Sequence, residues 1–334
     1  MTAVLGRSSV PVSPLGLGTA PLGNLYRVVP EPDVTATIDQ AWESGIRFFD
    51  TAPHYGLGLA ERRLGAALAG RPRAEYTIST KVGRLLVPDP DGASRRDDEG
   101  FDVPADLRRV WDFSADGVRR SLEGSLERLG LDRIDLVLIH DPDDHWAEAA
   151  GQAYPALHEL RAQGVIGAIG AGMNQTAMLT RFVVETEVDA VLVAGRYTLL
   201  DPSAADDLLP ACAERGVSVL AAGVFNSGLL ATDNPPADAT YDYQPAPATV
   251  RERAAAIGAV CRRHGVPLPA AAIAFAGARP EVASVLLGAR AAAEVAANAA
   301  AAETRIPDAL WQDLTNEGLL PPPPGGQESH FPAL

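Results

Sequence analysis

Apolar positions along this chain fall into two alternating patterns. Short, nearly continuous runs predict buried strands from Leu15 to Thr19, Ile46 to Phe49, Tyr76 to Thr80, Ile134 to Ile139, Val165 to Ile169, Ala190 to Val193, Val217 to Ala221 and Val282 to Leu287. Between them, apolar residues recur at helical spacing. Ile38, Ala41 and Trp42 share a face in a segment ending near Ser44, with Asp33 as its expected cap. Leu64 and Leu68 do so within 59–69, and Val118, Leu122, Leu126 and Leu129 behind a capping Ser114. Further helices are predicted over 147–163, 176–184, 203–215 with Ser203 as cap, 250–264, 269–276 and 291–301. A last one over 307–317 carries Leu310, Trp311 and Leu314. Val4 to Pro14 reads as a hairpin or cap ahead of the first repeat.

Eight strand candidates separated by helices predict an α/β chain folded as a closed (β/α)8 TIM barrel with a C-terminal helix. A doubly wound sheet is the main rival. It would need a glycine fingerprint turning directly from strand to helix, and Gly16-Leu17-Gly18 is followed instead by a long loop. The stretches 84–113 and 223–247 carry Gly, Pro, Asp and Arg without periodicity and read as long mouth loops, the first as a surface lid. The barrel is expected to occupy residues 1–320 as one domain, with a flexible Pro-rich tail over 321–334.

Composition narrows the function classes. The chain has 334 residues, is 47% hydrophobic and carries a net charge of -15. No dense Lys/Arg cluster is present, which argues against a nucleic-acid partner. No apolar run has the length and freedom from charge of a membrane span, and the N-terminus does not read as a secretory signal, so a cytoplasmic location is the default expectation. Cys212 and Cys261 lie in helix-like segments and are read as reduced thiols.

Barrels keep their chemistry at the C-terminal ends of their strands. There this sequence places Asp50 and Tyr55 after the second strand, Lys81 after the third and His140 after the fourth. A phenol can give or take a proton on a reacting oxygen, but its ordinary pKa near 10 needs help near neutrality. Lys81 would favour the phenolate, Asp50 would hold Lys81, and His140 would hydrogen-bond the same oxygen. The same residues also read as a turn cap, a packed ring and a solvated chain end. The spacing of Asp50, His54, His140 and His145 does not make a metal site, and paired carboxylates for glycoside hydrolysis are not evident beside a lysine. Glu61 reads as a packing or capping residue, and His54 as belonging to the neighbouring loop direction.

Phe49-Asp50-Thr51-Ala52-Pro53-His54-Tyr55-Gly56, followed by Glu61-Arg62-Arg63-Leu64-Gly65, resembles the aldo-keto reductase superfamily. Ser79-Thr80-Lys81, Asp132 to His140 and Gly167 to Gly170 extend the resemblance. It implies an NAD(P)-dependent dehydrogenase with an extended cofactor across the barrel mouth, Tyr55 as general acid/base, and Asp50 also near the nicotinamide ribose. The 140–145, 170–174 and 221–230 stretches resemble the sugar-oxidising branch, which includes L-fucose and D-threo-aldose 1-dehydrogenases, and also pyridoxal 4-dehydrogenases.

The cofactor contacts implied are Gly18, Thr19, Asp50, Asn174, Ala222, Phe225, Ser227, Gly228, Leu230, Gly288, Arg290, Glu294 and Asn298. A carboxylate at Glu294 repels a 2′-phosphate and accepts from ribose hydroxyls, favouring NAD, while Arg290 keeps NADP open. The expected substrate rim is Tyr26, Tyr55, His140, Asp141, Trp146 and Arg196. The expected reaction is oxidation of the anomeric carbon of an aldose such as L-fucose or D-arabinose to the lactone. Alternatives are a pyridoxal or other alcohol dehydrogenase, an NADPH-dependent aldehyde reductase and, in another class, a non-catalytic nucleotide-sensing barrel. A monomer or small homo-oligomer with a small-molecule sugar or alcohol as partner is expected.

Overall fold

The computed structural model describes residues 2–233, 235, 238–242 and 244–321. Beyond Pro321, the stretch expected to form a tail lies outside them. The central strands are β1 (Leu15–Gly18), β2 (Phe48–Asp50), β3 (Thr77–Val82), β4 (Ile134–His140), β5 (Ile166–Met173), β6 (Ala190–Ala194), β7 (Ser218–Ala222) and β8 (Val282–Gly288). Each pairs in parallel with its neighbours in chain order, and β8 pairs with β1 to close the barrel. A (β/α)8 barrel therefore forms as the alternation predicts.

Period-two alternation sorts the strand residues. Phe49, Ile78, Val137, Ile139, Ile169 and Val191 face the outer helices and pack into the large core beneath them. Phe48, Leu136, Leu138, Leu192, Leu220 and Leu286 share a separate cluster inside the barrel. Its floor is closed by an antiparallel pair, Ala3–Val4 with Pro11–Val12, which brings Leu5, Val10 and Val12 against those residues. Gly16 is required by this packing, because a Cβ there would lie 2.5 Å from Leu286. Continuing the inward phase of β2, β3 and β4 reaches Asp50, Lys81 and His140 at the top.

Helices α1 (Glu31–Glu43), α2 (Leu59–Leu68) and α3 (Ala115–Leu129) flank the strands that carry those residues. Ser114 caps α3, its Oγ accepting from Gly117 N at 3.0 Å. Two expected caps are corrected. Helix α1 starts after Pro30, so Asp33 lies inside its first turn, where it faces the positive end of the helix. Ser203 opens only a short 3₁₀ turn, Ser203–Ala205, and the helix proper starts at Leu208. The stretch 84–113 is more ordered than its pattern indicates: Arg84–Pro88 and Leu107–Trp111 form an antiparallel ladder. No helix among the described residues is long and apolar enough to cross a membrane.

Glu61 ties this sector together. It is fully buried, accepting from Thr80 Oγ1 at 2.7 Å and from Arg128 Nε at 2.6 Å, so α2, α3 and β3 are joined by one carboxylate. Gly65 lets α2 approach the end of α3, where a Cβ would fall 2.1 Å from Leu129 O. Replacing Glu61 with Ala leaves the Arg128 charge without its buried partner, a loss of roughly 3–5 kcal/mol. The expected outcome is a clearly lowered urea midpoint for Glu61→Ala, with little further loss when Arg128→Ala is added.

Candidate active site

Lys81 belongs to β3 itself rather than to the loop after it, and it is only 2% exposed. A buried ammonium requires full pairing. Nζ donates to Asp50 Oδ1 at 2.9 Å, Asp50 Oδ2 at 2.7 Å and Thr51 O at 2.9 Å. Asp50 Oδ1 also accepts from Ser79 Oγ at 2.7 Å. Thr19, just past β1, braces the same residue, its N and Oγ1 each donating to Asp50 O at 2.9 Å.

Tyr55 follows in the turn after β2, where Gly56, Leu57 and Gly58 all take positive φ and fold the chain tightly onto the mouth. Lys81 Nζ lies 4.7 Å from the centre of the Tyr55 ring. His140 stands edge-on to that ring, with centroids 6.0 Å apart. The structure thus brings Asp50, Tyr55, Lys81 and His140 together around one point. A cavity of about 600 Å³ opens above it.

Of the other residues named from sequence, the cavity gathers Tyr26, Asp141 and Asn174. Trp146 and Arg196 are corrections to the substrate rim. Trp146 packs edge-on against Phe182 with the Arg181 guanidinium over its ring, in the helical layer. Arg196 Nη1 and Nη2 are held by Asp242 at 3.0 and 2.8 Å, which keeps its guanidinium away from the cavity. Sequence reasoning also missed residues that are present there. The His54 ring lies 5.9 Å from Tyr55, 5.6 Å from His140 and 5.2 Å from Phe101, so it faces the mouth and not the neighbouring loop. Arg84, Glu99 and Phe101 arrive on the lid hairpin, whose pairing has no local sequence signal.

Burial dominates the titrations. It pushes the Tyr55 phenol up to about 12, more than the nearby Lys81 ammonium pulls it down. The net lowering expected from Lys81 is not found, because desolvation of the phenolate outweighs it in the ligand-free site. Burial acts to lower Lys81, but Asp50 and Tyr55 more than reverse this, and its pKa rises. Burial, with Lys81 and Arg84, holds His140 well below the usual imidazole range. His54 is lowered to about 2 by burial and by Arg84, Arg109 and Lys81. Both imidazoles are therefore neutral.

The residues at the mouth fit a nicotinamide dinucleotide. Asn174 Nδ2 donates to Ala194 O at 2.9 Å and Asn226 Nδ2 to Gly195 O at 3.3 Å. Asn226 Oδ1 is buried without a partner among the described residues, an acceptor for a ligand amide, and sequence reasoning did not single it out. Gly18 ends β1 in register with Gly288, where a Cβ would come 3.0 Å from Pro21. Ala222 ends β7, and Phe225, Ser227 and Gly228 sit on the tight turn that follows, with positive φ at Gly223, Asn226, Ser227 and Gly228. Leu230 has its side chain wholly in the core, so only its backbone is available to a ligand. Glu294 Oε2 accepts from Arg290 N at 2.7 Å, and Arg290 Nη2 donates to Leu25 O at 3.3 Å. Asn298 is half-buried on the same helix, Ala292–Ala302.

The depressed histidines make stability depend on pH. A group lowered on folding contributes stability that is complete above its unfolded value, near 6.5, and is lost as pH falls toward the folded value. Urea unfolding is therefore expected to show a decline from about pH 6.5 downward. The decline should be shallower in His54→Gln; equal slopes would contradict the burial of a neutral imidazole at this position.

Comparison with known proteins agrees with this geometry. The model of the Aldo/keto reductase family matches residues 14–316. A D-threo-aldose 1-dehydrogenase of Pseudomonas sp is 49% identical over 312 residues, covering 92% of this chain and 95% of the relative. A pyridoxal 4-dehydrogenase of Microbacterium luteolum is 39% identical over 333 residues, covering 95% and 97%. The holo form of an aldo-keto reductase from Bacillus halodurans is similar in structure, with a TM-score of 0.71 at 26% identity over 94% of this chain and 95% of that one. With a barrel closed in the same way and a family match over most of its length, the chain belongs to the aldo/keto reductase family and is an NAD(P)-dependent oxidoreductase.

Proposed function

We propose that this enzyme is an aldose 1-dehydrogenase that oxidises the anomeric carbon of a cyclic sugar, such as L-fucose or D-arabinose, to the lactone, with NAD as its preferred acceptor. One observation carries the reading: a phenol, a neutral imidazole and a buried lysine-aspartate pair meet at the base of one cavity. The 49% identity to a D-threo-aldose 1-dehydrogenase supports the substrate class.

When bound, the nicotinamide supplies the hydride acceptor. Tyr55, as phenolate, takes the proton of the anomeric hydroxyl while the C1–H bond breaks. The Lys81 ammonium stabilises the phenolate that must precede this transfer, and Asp50 holds the ammonium in place. His140, neutral and lining the cavity, hydrogen-bonds the reacting oxygen and orients it. Asn174 and Asn226 would hold the cofactor amide. Glu294 supports NAD over NADP, since its carboxylate keeps one oxygen for ribose hydroxyls while the other caps the Arg290 N–H. Pyridoxal oxidation is a second reading, supported by the 39% relative.

A panel of aldoses, pyridoxal and simple aldehydes, followed with NAD and NADP in parallel, tests the substrate class. Oxidation of L-fucose or D-arabinose with NAD is the expected result; activity confined to aldehydes with NADPH would sink the proposal. Tyr55→Phe should lower turnover by on the order of a thousandfold or more, with cofactor affinity near wild type by fluorescence quenching. Because burial pushes the Tyr55 phenol up to about 12 in the ligand-free site, kcat/KM for oxidation should climb with pH from neutrality to at least about pH 10. A flat profile there would contradict the role given to Tyr55.

A further inference from the structure

Beyond the groups used by the proposed reaction, the cavity contains a second polar cluster. Arg84 lies just past β3, on the lid ladder. Its Nη2 donates to Asp141 Oδ2 at 2.6 Å and its Nη1 to Glu99 Oε2 at 3.2 Å, and the guanidinium lies 4.5 Å from the centre of the Trp111 ring. Three neighbours therefore hold it in a defined place. Asp141 follows His140 directly and has a φ of 43°, in the left-handed region that non-glycine residues seldom adopt. Its N–H is tied to Gly172 O at 3.0 Å, which keeps the carboxylate beside the reacting centre. His140 Nε2 lies 3.5 Å from Asp141 Oδ2, while Asp141 Oδ1 has no partner among the described residues.

We propose that the Arg84–Asp141 pair reads the sugar ring by holding a vicinal diol: Asp141 accepts from one hydroxyl, and Arg84 donates to its neighbour. This deepens the aldose reading and rests on it. Both side chains line the cavity and remain partly open, 17% for Arg84 and 27% for Asp141. A hydroxyl is both donor and acceptor, so two adjacent ones match a carboxylate beside a guanidinium. An anionic sugar does not match. The Arg84 charge is already balanced by Asp141 and Glu99, Lys81 is balanced by Asp50, and Asp98 and Asp143 add further negative charge to the wall. The geometry thus selects neutral polyols over sugar phosphates and uronates. Phe101, packed against His54 and Tyr55, provides an apolar surface for the carbon face of the ring.

The test compares kcat/KM for an aldose with that for its 2-, 3- and 4-deoxy analogues, in wild type, Arg84→Gln, Asp141→Asn and Arg84→Lys. Wild type should lose on the order of a hundredfold or more for the analogue lacking a held hydroxyl, mostly through KM. In Arg84→Gln and Asp141→Asn this ratio should shrink to within about threefold as KM for the parent sugar rises, and Arg84→Lys should recover part of it. A variant that merely distorts the mouth slows parent and deoxy sugar alike, so a ratio kept at its wild-type size in Arg84→Gln and Asp141→Asn overturns the proposal. Wild type that oxidises aldoses but discriminates against none of the analogues overturns the pair alone. Wild type that oxidises no aldose overturns the aldose reading, and the pair with it.

Discussion

The buried contact between Lys81 and Asp50 governs the chemistry of this protein. The strand positions below it are filled by Phe48, Leu136, Leu138, Leu220 and Leu286, an apolar interior with little to solvate a charge. Bringing an ammonium and a carboxylate there is tolerated only because each has its hydrogen bonds made. Lys81 Nζ is satisfied by Asp50 and Thr51, and Asp50 by Lys81 and Ser79, with Thr19 bracing its backbone. Three adjacent strands thereby converge on one ion pair. Lys81 is only 2% exposed, so its charge acts on Tyr55 and His140 through a medium that screens it weakly. Desolvation favours the uncharged forms of both Tyr55 and His140, and Lys81 opposes it at the phenol but reinforces it at the imidazole, so a neutral imidazole and a protonated phenol coexist beside a cation.

The lid gives the same site a different kind of order. Its Arg109–Asp97 pair is nearly as buried as Lys81–Asp50, with side chains 7% and 3% exposed, and Arg109 also donates to His54 O. The turn carrying Tyr55 is therefore held from the lid side as well as from the barrel. A mouth built in this way combines a rigid proton-transfer floor with walls supplied by a separate hairpin. Reaction type and substrate choice are thus carried by different elements.

Legibility in the sequence followed the range of the interactions. Strand runs and helical stripes depend on local periodicity, so the barrel could be read from them, and Ser114 could be read as a cap because its partner Gly117 is three residues away. Asp33 and Ser203 looked equally suited to capping, but Pro30 starts one helix earlier and Asp207 stands before the other. The lid ladder escaped because Arg84–Pro88 finds its partner in Leu107–Trp111 across a long intervening loop, with mixed burial and no clean alternation. Trp146 and Arg196 illustrate the same limit at the site. Each follows a strand end, yet one turns outward to Phe182 and the other is taken by Asp242.

By itself, the sequence determined the repeating strand-helix order and the placement of an acid, a phenol, an ammonium and an imidazole where strands end. A change from apolar run to polar residue is visible one residue at a time, which is why these positions stood out. Only the tertiary structure decided which of them share a point in space, that burial outweighs Lys81 in setting the Tyr55 titration, and that His54, Arg84 and Phe101 complete the cavity. Those outcomes depend on distance and desolvation among residues remote in the chain, and neither quantity is encoded in any single stretch of it.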